Sequence, residues 1–152
     1  MIVNEEAVKE ILAQVKDAKL VAATKYVDYH EIEKLEALGV KYFGENRVQA
    51  FLEKYEHYHG NGEFHFIGTL QTNKVKYIID KVTLIHSIAS YSLIDEVEKQ
   101  ARKHELKMPI LVQVNVAKEE SKHGFSREEL LEVLQELAKL DKIEYVGLMT
   151  MA

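Results

Sequence analysis

Short apolar runs recur along the chain and end in small or polar residues at Lys25, Glu45, Gly68, Ser87, Asn115 and Thr150. A helix-like stretch follows each of the first five. Successive run ends lie 20, 23, 19, 28 and 35 residues apart, spacing that suits strand–helix units joined by short loops. Such repetition predicts an α/β fold with a parallel sheet and its helices outside. If the units close into a TIM (β/α)8-type barrel, the C-terminal ends of the strands converge on one mouth, and Lys25 stands at such an end.

The individual elements follow from periodicity and punctuation. Val8, Ile11, Leu12 and Val15 give residues 4–16 one apolar helical face, with Asn4 as N-cap. The first strand runs Leu20 to Lys25. Asp28 is placed to cap a helix carrying Ile32, Leu35 and Leu38, which Gly39 ends. A strand over 40–45 leads into a helix over 46–54, and Gly60-Asn61-Gly62 marks a turn. Strand Phe64–Gly68 precedes a helix within 69–80, and strand Val82–Ser87 precedes a strongly periodic helix from about Ser92 to His104. Pro109 stands just before strand Ile110–Val116, where its missing N–H costs little. Ser126 and Glu129 form a capping-box pattern ahead of another helix, and the sixth strand begins at Ile143.

With 152 residues, 47% of them hydrophobic, the chain reads as one domain, residues 1–152. A complete barrel of this type takes about 250 residues, so six strands predict that a C-terminal part of the barrel is absent. No apolar run approaches the roughly 20 residues that span a bilayer, and the acidic opening is unlike a secretory signal. The expected location is cytoplasmic. A net charge of −5 argues against a nucleic-acid partner, and the absence of cysteine excludes disulfides, iron–sulfur clusters and thiolate nucleophiles.

The candidate chemistry lies at the strand ends. Lys25 reads either as a solvated lysine or as a Schiff-base amine, which must lose its proton before it attacks an aldehyde. Gly44-Glu45-Asn46 offers close backbone approach and a two-way hydrogen-bonding amide, or simply an asparagine helix cap. The stretch from His65 to Lys74 has a P-loop outline, but Asn73 occupies the second glycine position and Val75 that of the magnesium ligand, which excludes nucleotide binding of that kind. His57 and His59 lack acidic partners at metal-motif spacing, so no metal site is expected. His65 can point into a barrel, as a ligand contact or as a hydrogen-bonded core residue. Met149 is either core packing or one wall for a flat ring.

In order, Ala23-Thr24-Lys25, Phe43-Gly44-Glu45-Asn46, His65-Phe66-Ile67-Gly68 through Lys74, Asn115 followed by Glu120-Ser121-Lys122 with Gly124-Phe125, and Gly147-Leu148-Met149 resemble the pyridoxal 5′-phosphate (PLP) homeostasis proteins. The resemblance covers residues 19–152. It implies the alanine racemase-like barrel of fold type III PLP proteins, with PLP held as a Schiff base on Lys25 without catalytic turnover. It also implies Asn46, His65 and Met149 as cofactor-pocket residues and Lys122 as a secondary PLP contact. Partners would be PLP itself and PLP-dependent apoenzymes that accept it, with neither nucleic acid nor membrane involved. The alternative from a different class is a fold type III PLP-dependent amino-acid racemase, which would need a second acid–base group aligned with the substrate Cα proton.

Overall fold

The computed structural model describes residues 3–116 and 123–151. After α1 (Glu5–Gln14), the chain alternates β1 (Val21–Ala23), α2 (Tyr29–Ala37), β2 (Tyr42–Glu45), α3 (Val48–His57) and β3 (Glu63–Phe66). A 3₁₀ turn (Thr72–Lys74) runs into the short α4 (Val75–Ile78), then come β4 (Leu84–Ile88), α5 (Tyr91–Lys103), β5 (Met108–Gln113), α6 (Arg127–Leu137) and β6 (Ile143–Met149). All neighbouring strands pair in parallel, in the order β1-β2-β3-β4-β5-β6. Consecutive strands are therefore neighbours, as short strand–helix–strand crossovers require.

Local chemistry sets the element ends. Asn4 accepts the Ala7 N–H at the start of α1. Asp28 with Glu31, and Ser126 with Glu129, complete reciprocal capping boxes on α2 and α6. Gly39 ends α2 with φ +107, a left-handed conformation that glycine adopts without a Cβ penalty. Pro109 lies inside β5 rather than before it, paired in register with Glu144. Met108, whose N–H donates to Lys142 O, opens the strand ahead of it. The helix expected within 69–80 is reduced to one short turn because Gln71 stays extended, while Val75, Ile78 and Ile79 are fully buried.

The sheet has two unlike faces. On one, Phe43, Phe64, Phe66, Ile85, Ile110 and Val112 pack into a sealed core with Phe51, Val97, Ala101 and Val133 from the helices. Phe51 and Phe64 rings meet at 5.3 Å and Phe43 and Phe64 at 5.7 Å. Strand alternation sends Tyr42, Gly44, His65 and His86 to the other face, the concave one, which is more polar. Among the described residues no helix is long and apolar enough to cross a membrane.

Candidate functional site

Lys25 sits just past β1 in a turn that runs from Thr24 to Val27, closed by the Val27 N–H donating to Thr24 O at 3.3 Å. Lys25 is exposed in this turn rather than enclosed by its apolar strand. Its ammonium lies 5.2 Å from the Tyr26 ring centroid. Lys25 lines two cavities at the C-terminal ends of the strands. One, of about 260 Å³, is shared with Glu45, Asn46 and Arg47; the other, of about 600 Å³, is a shallower groove toward Lys54 and His57 on α3.

Asn46 follows β2 and is not a helix cap. Arg47 occupies the N-cap position of α3 and makes no side-chain capping bond, so the Asn46 amide is not committed to capping that helix. The loop is held by Gly68: a Cβ there would meet Asn46 O at 2.2 Å and Asn46 Cα at 2.8 Å. Gly68 thus permits backbone-to-backbone approach rather than a phosphate cradle. The space at Gly44 is likewise occupied from within. A Cβ at Gly44 would meet the Ile67 side chain at 2.8 Å, so the close approach is to Ile67 and not to a ligand.

His65 is 5% exposed and lies in a lower layer of the concave face. Its Nδ1 is 3.0 Å from His86 Nε2, and its ring stands 5.5 Å from that of Tyr42. Burial, with His86 and Lys19 nearby, lowers the His65 pKa from the usual 6.5 to about 4; burial also lowers that of His86. Met149, at the end of β6, pairs with Gln113 on the strand edge farthest from β1. The structure therefore brings Lys25 and Asn46 to one cavity, with His65 paired in register with Gly44 on the neighbouring strand and Met149 on the last strand. Lys122 lies outside the described residues. Among the described residues, no three His, Asp or Glu side chains cluster as metal ligands.

Sequence reasoning passed over a buried polar network beside Lys25. Glu45 is 1% exposed, and both its oxygens accept from Lys54 Nζ, Oε1 at 3.1 Å and Oε2 at 3.0 Å. Thr24 Oγ1 donates to Glu45 Oε2, and Lys54 Nζ also donates to Thr24 O. The available signal was a carboxylate closing an apolar strand, which demands a partner when buried.

An array of parallel strands with a lysine at the first strand end now meets its relatives. Residues 4–152 match the alanine racemase N-terminal domain, and the chain belongs to that family. It is similar to the pyridoxal phosphate homeostasis protein of Aquifex aeolicus, 46% identical over 134 residues, which cover 88% of this chain and 59% of that protein. The protein of the same name from Synechocystis is 33% identical over 144 residues, 93% of this chain and 66% of that one. The chain thus spans about three fifths of the length of these curated relatives. Among solved structures, PipY of Synechococcus elongatus with PLP bound matches at a TM-score of 0.88 and 25% identity, over 97% of this chain and 70% of that one. Alanine racemase of Clostridium difficile, 19% identical with a TM-score of 0.75 over 97% of this chain and 39% of that one, shares the fold. The six-stranded sheet is part of an alanine racemase-like TIM barrel.

Proposed function

We propose that this chain supplies the anchoring lysine of an intracellular PLP-homeostasis protein that holds the cofactor on Lys25 and releases it without turnover. The observation that carries the reading is the cavity of about 260 Å³ at the strand ends that Lys25 and Asn46 line together. An amine, an amide and the Arg47 guanidinium border it, a donor set suited to an aldehyde-bearing aromatic ring with an anionic substituent. When bound, PLP supplies an aldehyde that amines add to and a ring that acts as an electron sink. Lys25 would hold the cofactor through its Nζ, and Asn46 and Arg47 would orient the ring and its anionic substituent. The exposure of Lys25 would leave such an attachment open to hydrolysis or to exchange with another amine. Release to a PLP-dependent apoenzyme in the cytoplasm would follow from such exchange. Absence of turnover is supported by Glu45, the acidic group at this cavity, which is engaged by Lys54 and Thr24 instead of facing a substrate proton.

Incubation with PLP, borohydride reduction and peptide mapping test this reading. We expect the label on Lys25. A label mainly on Lys74 or Lys19 would contradict it, and Lys25-dependent racemisation of any L-amino acid beyond that given by free PLP would favour the racemase instead.

A further inference from the structure

The amine of Lys25 makes no hydrogen bond among the described residues, so its place at the mouth depends on the backbone that carries it. That backbone is held from one side. Thr24 O is the carbonyl that closes the Thr24–Val27 turn, and it also accepts from Lys54 Nζ, a residue of α3 thirty positions away in the chain. Lys54 is only 13% exposed, and its ammonium is shared between that carbonyl and both oxygens of Glu45. Glu45 in turn receives the Thr24 hydroxyl, while the Thr24 N–H and Oγ1 both reach Gly44 O, at 3.0 Å and 3.2 Å. The Lys54 ammonium of α3 and the Gly44 carbonyl and Glu45 carboxylate of β2 therefore converge on the residue immediately before Lys25.

We propose that Glu45 and Lys54 are positioning residues for Lys25: the ion pair grips the Thr24 carbonyl and so fixes the turn that aims the Lys25 amine at the cavity shared with Asn46. Both groups act through Thr24. The proposal rests on the PLP reading above and adds to it a reason for a buried ion pair beside an exposed lysine. A hydrophobic pair of similar volume would fill the same space without desolvating two charges, but it would leave the Thr24 carbonyl without its cation. Misplacing a reacting group by about 1 Å costs up to roughly 10²-fold in rate, which makes such a grip worth its desolvation.

The test compares the wild-type protein with Glu45→Gln/Lys54→Met, which removes both charges together and avoids stranding one, and with Thr24→Val, which keeps the ion pair and cuts the hydroxyl link. Each is exposed to substoichiometric PLP across a range of pH, reduced with borohydride and mapped, with Lys19 and Lys74 as internal references and thermal unfolding as the control for folding. We expect the double variant to fold cooperatively while the rate of Lys25 labelling falls at least about tenfold relative to the two reference lysines. A several-fold fall is expected for Thr24→Val. Lys25 labelling unchanged in both variants would overturn the positioning role. If the double variant does not fold, Thr24→Val decides by itself, with unchanged labelling overturning the proposal and a selective fall at Lys25 supporting it. A wild-type protein that takes no label on Lys25 would sink the PLP reading and this inference with it, whereas a labelled wild type with equally labelled variants would sink the inference alone.

Discussion

Two polar pairs are buried in this sheet, and they solve the cost of desolvation in opposite ways. Glu45 and Lys54 carry opposite charges, and every oxygen of the carboxylate has a donor, which offsets its removal from water. His65 and His86 are two like groups 3.0 Å apart, and they coexist by giving up charge: one ring donates to the other while both are held neutral. The first pair lies at the strand ends and grips the turn that carries Lys25. The second lies on the concave face and does not line the cavity that Lys25 and Asn46 share. The polar pair near the mouth is thus an ion pair, and the other is a pair of rings whose charge burial disfavours.

The comparison is broken most severely by stranding one charge. Lys54→Met leaves the Glu45 carboxylate buried and without its cation, and should cost about 3–5 kcal/mol in denaturant unfolding. Glu45→Gln/Lys54→Met should recover most of that loss. A single variant as stable as wild type would mean that the pair is solvated in solution.

The histidine pair makes the next prediction, with a sign fixed by its lowered pKa. Between pH 6.5 and about 4 the unfolded chain protonates His65 while the folded chain does not, so stability falls as pH drops through this window and levels off below it. The shift corresponds to at most about 3 kcal/mol. Chemical denaturation at a series of pH values should show that slope in wild type and a shallower one in His65→Asn/His86→Asn. Equal slopes would remove the pair as its source.

Gly68→Ala tests whether the mouth is held by backbone contact, since the added methyl would collide with the Asn46 carbonyl. We expect a loss of about 1–3 kcal/mol and weaker PLP uptake. Unaltered stability and uptake would show that the loop yields freely. The smallest effect belongs to the exposed Glu136–Lys139 pair on the surface, 3.1 Å apart. Glu136→Ala should change stability by less than about 1 kcal/mol, and a change matching that of Lys54→Met would refute the distinction between buried and exposed pairs.

The layout of strands and helices was legible because it depends on local signals. Asp28, Gly39, Ser126 and Glu129 act within a few residues of themselves, and the apolar runs mark strands whether or not their partners are known. Reading failed where the deciding contact is distant. Asn46 resembled a cap, yet Gly68 draws its loop so that Arg47 takes that position instead. Pro109 looked like a boundary, but Met108 already pairs with the neighbouring strand. At the site, strand ends singled out Lys25 and Asn46 as candidates with two readings each, and only the resemblance to the PLP homeostasis proteins implied cofactor roles for them. Lys54 was hidden because it reads as one more polar residue of an amphipathic helix, and only the packing of α3 against β2 turns it toward Glu45. His86 was hidden for the same reason, its partner lying one strand away.

The central claim is that Lys25 holds PLP in the cavity beside Asn46. A crystal structure of the protein grown with PLP tests it most directly. The account predicts continuous electron density from Lys25 Nζ to the former aldehyde carbon, with the ring lying alongside Asn46 and the Glu45–Lys54 pair intact behind the turn. Density for PLP joined to another lysine, or lying in the cavity without a bond to Lys25, would contradict it.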